Sequence, residues 1–365
     1  MQNIDAKGEW KTYVAHEKAR VMPFLAQRGI RLDEDQPQTI GERYLTRPVG
    51  GGRKVVFFGR TSDRRRVVIK TSDETKGKEE LELEQDVRQM LTRLRFAYEV
   101  FSLPEVLWSN VENGILVTEY VEQDKPFLER PLEEQFTIAL SAFKAQEAAH
   151  ITTAGHELSV ADYYIKAGEY KKIGEYAQDI VGMLYDDTGL SARLDPFLDR
   201  TIELIRDNEK TLDRYGGFLT HWDFIPQNFR IRDGRLYLLD LTSMRFGNKY
   251  EGWARFINFM TLYNPALADA LLAYVRLNRT PEESLDLKIM RAYRLVELLR
   301  YYAAWLHKTG GTTRELARAR IAFWTEVLEA VLGDREVPSA TIEAYKAKRD
   351  ALRTTDEKRR QAGLH

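Results

Sequence analysis

The sequence contains no cysteine. Disulfides, thiolate zinc sites, iron–sulfur clusters and a cysteine nucleophile are therefore excluded. Long apolar runs are also missing. The longest extend for a few residues, as in 270–275, against the roughly 20 needed to cross a bilayer. There is no surplus of either charge: 55 Lys and Arg face 56 Asp and Glu, for a net charge of −1. A general nucleic-acid or membrane-surface binder usually carries a basic excess, so neither partner is expected. The first residues show neither the basic segment nor the apolar segment of a secretory leader. The expectation is a soluble, cytoplasmic protein, and nothing in the sequence speaks to its oligomeric state.

What is present is an ordinary globular balance, with 43% hydrophobic and 30% charged residues in a chain of 365. At roughly 100–200 residues per domain, that length suggests two or three lobes. The opening stretch, 10–27, has helical spacing of Trp10, Tyr13, Val14, Val21, Phe24 and Leu25, with Gly29 as its stop. A β-rich region follows. Val55-Val56-Phe57-Phe58 and Val67-Val68-Ile69-Lys70 flank a polar turn, which predicts a hairpin. A charged helix is expected over 76–94, with Leu81, Val87, Met90, Leu91 and Leu94 on one side. A second hairpin is expected around Asn113-Gly114. Beyond Pro126 the pattern is helical, except for a β-island over 218–244 that turns at Asp233-Gly234. The end, from Pro338, is charged and is expected as a loosely packed helix or frayed tail. A strand-rich segment of about 80 residues thus precedes a helix-rich segment of about 200, the pattern of two unequal lobes with a ligand cleft between them.

The chemistry concentrates in one stretch. Asp223 and Asn228 are five apart between two strands, and Asp240 ends an apolar strand twelve residues further on. The hairpin can return Asp240 to the Asn228 loop. Asn228 and Asp240 then form an oxygen pair suited to Mg²⁺, with Asp223 left as a free carboxylate. Phosphoryl transfer needs this set: an Asp to orient and deprotonate a hydroxyl, and an Asn and an Asp to hold metal on phosphates. Taken singly, Asp223 and Asn228 would also suit an ordinary turn.

The run His221-Trp222-Asp223 through Asn228, followed by Leu238-Leu239-Asp240, resembles the catalytic and metal-binding region of the aminoglycoside phosphotransferase/choline kinase superfamily. Over roughly 40–260 the order and spacing of further elements resemble it as well. The resemblance implies an α+β, bilobal protein-kinase-like fold, with a small antiparallel β-sheet N-lobe and a larger helical C-lobe. It implies these limits: an N-terminal helical extension over 1–39, an N-lobe over 40–124 with a hinge at 117–124, a C-lobe over 125–335 and a charged tail over 336–365. It also implies ATP and Mg²⁺ as cofactors and a small-molecule hydroxyl as acceptor. Lys70 would contact nucleotide phosphates, Glu119 and Val121 would bind adenine through the hinge backbone, and His221 would brace the catalytic loop. Both Glu80 and Glu84 fall on or beside the inward stripe of the charged helix. Glu84, fourteen residues after Lys70, is favoured as its partner. Gly51 and Gly52, with Gly50, either wrap phosphates through backbone N–H groups or form a simple turn.

The chain departs from the family after the metal-binding strand. The family commonly has Gly and then Asp there, and this sequence has Gly247 followed by Glu251. A protein kinase is disfavoured, because Asp240-Leu241-Thr242 replaces Asp-Phe-Gly and no Ala-Pro-Glu follows. A nucleotide-binding pseudokinase or scaffold is the alternative function. For the acceptor, Asp223 with Glu251 and Glu297 predicts an acidic wall that prefers cationic or neutral polyhydroxylated molecules, unless Arg245, Arg255 or Arg294 faces the same space. Tyr293, Tyr301, Tyr302 and Trp305 offer either an aromatic cage for a cation or core packing.

Overall fold

The computed structural model describes residues 6–34, 53–93, 101–151, 168–355 and 358, with side chains from residue 10 onward. Gly50, Gly51, Gly52 and Leu94 lie outside the described residues. The fold is α+β and bilobal, with a kinase-like N-lobe sheet and a large helical lobe.

The N-lobe starts with α1 (Ala6–Gln27), stopped by a positive-φ Gly29. Strands β1 (Arg31–Leu32), β2 (Val55–Arg60) and β3 (Arg66–Thr71) follow, then α2 (Thr75–Arg93). The next strands are β4 (Phe101–Ser102), β5 (Val106–Asn110) and β6 (Ile115–Glu119). Five of these strands form one antiparallel sheet in the order β1-β2-β3-β6-β5. Alternation decides its two faces. Val55, Phe57, Val67 and Ile69 point to one side and pack with Trp10, Tyr13, Val21 and Leu25 of α1. Val56, Phe58, Val68 and Lys70 point to the other side, into the interlobe cleft. Helix α1 is therefore a layer of the N-lobe core. Its buried Glu17 accepts from Arg20 and from the Thr71 hydroxyl at 2.7 Å, so a charge inside this layer is paired.

The C-lobe contains α3 (Leu132–Glu147), α4 (Ile173–Met183), α5 (Thr188–Asp207) and α6 (Glu209–Arg214). Strands β7 (Phe218–His221), β8 (Phe229–Arg232), β9 (Arg235–Leu238) and β10 (Met244–Gly247) come next. They form a β7–β10 ladder and a β8–β9 hairpin, and β4 adds in parallel to β9. Helices α7 (Glu251–Tyr263), α8 (Pro265–Asn278), α9 (Pro281–Lys308), α10 (Gly311–Leu332) and α11 (Ser339–Ala351) complete the lobe. Thr280 and Glu283 form a reciprocal capping box at the start of α9. Helix α7 is buried at 12 of its 13 residues, which makes it the centre of the lobe. No helix among the described residues is long and apolar enough to cross a membrane.

The β7–β10 ladder was not anticipated from the sequence. Its strands are four residues each and separated by the hairpin, so periodicity gives too short a signal. The C-terminal segment forms a helix, one of the two forms expected of it, and the helix is docked by its apolar residues. Ile342 and Tyr345 of α11 are buried, and the Tyr345 ring stacks on Phe323 with centroids 4.2 Å apart. One apolar turn suffices to dock a helix that is otherwise charged. Tyr345→Ala should lower the unfolding free energy by about 3 kcal/mol, the scale of a deleted buried aromatic. A urea titration would show no change if the segment were a loose tail.

Candidate active site

Asp223 and Asn228 sit between β7 and β8, and their positions are set by backbone bonds. Trp222 N donates to Ser243 O at 2.9 Å, and Leu239 N donates to Asn228 O at 2.8 Å. The segment carrying Asp223 and Asn228 is thereby tied to the turn carrying Asp240. That turn is not the end of a strand. β9 stops at Leu238, and Asp240 adopts a left-handed conformation with φ 46°. Asp is one of the few residues that tolerate this geometry. Its Oδ1 accepts from Thr242 at 2.7 Å.

Asn228 uses its amide nitrogen within the loop, donating to Asp223 O at 2.8 Å and Asp223 Oδ2 at 2.9 Å. The side-chain oxygen is the atom left for a ligand. Asn228 and Asp240 line the same cavity as Lys70, and their oxygens are the hard-donor set that Mg²⁺ takes. Lys70 Nζ donates to both oxygens of Glu84, at 2.6 and 2.7 Å. Glu84 is 2% exposed, so the pair holds a charge that burial would otherwise penalise. Glu80 pairs instead with Lys54 at 2.8 Å, which separates the two candidates that helical phase had left open.

His221 is fully buried. Its backbone N–H donates to Gln146 Oε1 at 3.0 Å, and its Nε2 lies 3.2 Å from Leu239 O. Facing a carbonyl, Nε2 must carry the proton. Burial pushes the imidazole below its ordinary pKa, against the opposing pull of Asp240 and Asp223. A neutral ring whose proton is held by backbone braces the loop and is not placed to exchange protons with a substrate. Gln146, which completes this brace from α3, had no signature in the sequence.

At the hinge, Glu119 N donates to Glu105 O at 2.8 Å and Tyr120 N donates to Arg66 O at 3.0 Å. The Val121 N–H has no partner among the described residues. The Glu119 carboxylate is bound by Arg232 of β8 at 3.0 Å, a bridge between the lobes. Hinge, Lys70, Glu84, Asp223, Asn228 and Asp240 all border one cavity of about 310 Å³.

A second, larger cavity of about 740 Å³ adjoins it, and Asp223 lines both. Its wall differs from the acidic surface expected. Arg255 Nε donates to Asp223 Oδ1 at 2.7 Å. Arg294 pairs with Glu297 and lies over the Trp222 ring at 4.9 Å. Glu251 is buried against Arg245 and does not line this cavity. Burial raises the Glu297 carboxyl above its ordinary pKa, against the pull of Arg294. Of the two readings of the aromatic set, Tyr302 and Trp305 follow core packing: both are buried, and the Arg320 guanidinium lies 5.0 Å from the Tyr302 ring and 4.9 Å from the Trp305 ring. Tyr301, by contrast, is partly exposed on the cavity wall. Arg255 had a signal in the sequence, as the one charge inside the apolar run 253–262.

The fold has counterparts among solved structures. The chain superposes on an APH(2")-IIa ternary complex with streptomycin and ATP with a TM-score of 0.54, at 14% identity, over 88% of this chain and 97% of that one. A thermostable mutant of aminoglycoside phosphotransferase APH(4)-Ia, apo form, gives 0.55 at 15% identity, over 85% and 97% of the two chains. The chain has the aminoglycoside phosphotransferase/choline kinase fold. Choline kinase LicA from Streptococcus pneumoniae gives 0.53 at 15% identity, over 85% and 98%. Comparison with protein-family models and with curated protein sequences finds no match. Residue correspondence within this fold therefore rests on local geometry.

The buried His221 yields a pH test. Its folded pKa lies below the ordinary value of 6.5, so as pH falls the unfolded chain takes the proton first. Stability contributed by the neutral ring is complete above about pH 6.5 and declines below it. Unfolding free energies at pH 7.5 and 5.5 should differ less for His221→Gln than for the wild type. Equal differences would mean that the ring is not held neutral.

Proposed function

We propose that the protein is an ATP- and Mg²⁺-dependent phosphotransferase that moves the γ-phosphoryl group to a hydroxyl of a small molecule. The observation that carries this reading is that Asp223 lies on the boundary of two cavities. One side holds Lys70, Asn228 and Asp240, and the other is large enough for a substrate. The nucleotide is assigned to the smaller cavity. The Val121 amide and the hinge backbone at Glu119 meet the adenine, and Lys70, oriented by Glu84, meets the α and β phosphates. Gly51 and Gly52 belong to the proposed phosphate-covering segment. Bound Mg²⁺ would neutralise phosphate charge, with Asn228 and Asp240 as its protein ligands.

The acceptor hydroxyl approaches Asp223 from the larger cavity. Each Asp223 oxygen already accepts one bond, from Arg255 or from Asn228, and each keeps a lone pair for a further donor. The hydroxyl oxygen attacks the γ-phosphorus as the bond to the β-phosphate oxygen breaks, and Asp223 takes the hydroxyl proton. The products are ADP and a phosphomonoester. His221 holds the loop, and in-line positioning supplies most of the acceleration.

Two substitutions separate the roles. Asp223→Asn should retain ATP binding and lose at least ~100-fold in kcat, the scale of a lost general base. A wild-type turnover rate would remove Asp223 from the mechanism. Asp240→Ala should abolish the Mg²⁺ dependence of ATP affinity measured by calorimetry. ATP binding by the wild type that ignores Mg²⁺ and never leads to turnover would favour the scaffold alternative.

A further inference from the structure

Arg255 is a charge in the most buried helix of the lobe. The residue is 8% exposed, and its Nε–H is engaged by Asp223 at 2.7 Å. The two terminal amino groups of its guanidinium have no protein acceptor among the described residues. Arg255 borders the larger cavity and is not among the residues bordering the nucleotide cavity. Its open donors therefore serve the acceptor and not the γ-phosphate. A planar fork of N–H groups matches a carboxylate or phosphate two oxygens at a time.

The other charges on this wall point the same way. Three carboxylates line the cavity among the described residues, and each is matched by an arginine: Asp223 by Arg255, Glu297 by Arg294, and Asp179 by Arg300 at 2.6 Å. A cationic acceptor would meet only carboxylates whose charge an arginine already offsets. An anionic acceptor meets the Arg255 fork with no pair broken.

We infer that the acceptor carries an anionic oxygen group, a carboxylate or a phosphate, bound by the terminal nitrogens of Arg255. This rests on the phosphotransferase reading above. The bond from Nε to the proposed catalytic carboxylate sets the distance: the anionic group lies within a few bonds of the hydroxyl that Asp223 deprotonates. Arg255 also stands between Asp223 and that group, and offsets the repulsion that two neighbouring anions would feel. Hydroxy acids, sugar acids and phosphorylated polyols have this chemistry. The choline and aminoglycoside acceptors of proteins with this fold do not.

Matched acceptors test the inference by ADP release at saturating ATP and Mg²⁺. D-glucuronate would be compared with D-glucose and D-glucosamine, and D-glycerate and glycerol 3-phosphate with glycerol, so that the carboxylate and phosphate arms are read separately. In at least one series the anionic member should have a KM lower by about 10- to 100-fold, the value of a hydrogen-bonded charge. Arg255→Gln should remove that advantage while leaving KM for ATP unchanged. Arg255→Lys keeps the charge without the fork, and should retain part of the advantage if Gln disturbs folding. Preference for a cationic or neutral member, or an advantage that survives Arg255→Gln, would overturn the inference. If no acceptor is turned over, ATP hydrolysis by water decides whether the phosphotransferase reading stands. Calorimetric binding of the same panel then decides the acceptor separately, and no tighter binding of any anion than of its neutral counterpart would overturn the inference.

Discussion

One carboxylate organises the cleft. Asp223 faces two cavities and keeps a fixed direction beneath a lobe of aromatic side chains. An unpaired anion there would be costly. Its stabilisation is divided between an amide from its own loop, Asn228, and a guanidinium from the central helix, Arg255. Because those two groups approach different oxygens, rotation of the carboxylate would break both bonds. The loop in turn depends on backbone ties to the Asp240 turn and on a buried imidazole that donates to Leu239. The geometry of this loop is thus set by hydrogen bonds inside the C-lobe.

The two lobes contribute differently. The N-lobe sheet presents alternate residues to the cleft, so Val56, Phe58, Val68 and Lys70 arrive together as a consequence of strand period. Its rigidity comes from the opposite face, where α1 covers the sheet. The lobes are joined beyond the hinge chain itself: β4 pairs with β9, and Arg232 binds the Glu119 carboxylate. Helix α2 packs against the turn after Asp240. The element that orients Lys70 through Glu84 is therefore also in contact with the proposed metal turn.

In the larger cavity, proposed for the acceptor, the logic is charge pairing within a wall that mixes charged and aromatic side chains. Arg294 and Arg245 both lie over the Trp222 ring, at 4.9 and 5.5 Å from its centroid, and each binds a carboxylate. Trp222 follows His221 directly, so this packing also limits movement of the segment that carries Asp223. Arg320 neutralises the apparent aromatic cage from within the core. The pairs leave the terminal nitrogens of Arg255 with donors to spare among the described residues.

The sequence by itself determined the bilobal order, the two hairpins and the loop residues Asp223, Asn228 and Asp240, because these signals are local. Strand alternation, turn dipeptides and a short motif survive without any knowledge of neighbours. It also narrowed the partner of Lys70 to two glutamates, since helical phase fixes a face but not a contact. Tertiary structure decided what depends on residues far apart in the chain: Glu84 over Glu80, the β7–β10 ladder, α1 as a core layer, and α11 docked through Tyr345. It decided the acceptor wall most of all. The sequence lists Asp223, Glu251, Glu297 and several arginines without saying which face one another. An electrostatic surface is a sum over pairs, and pairing such as Asp223 with Arg255, 32 residues apart, exists only once the helices have packed.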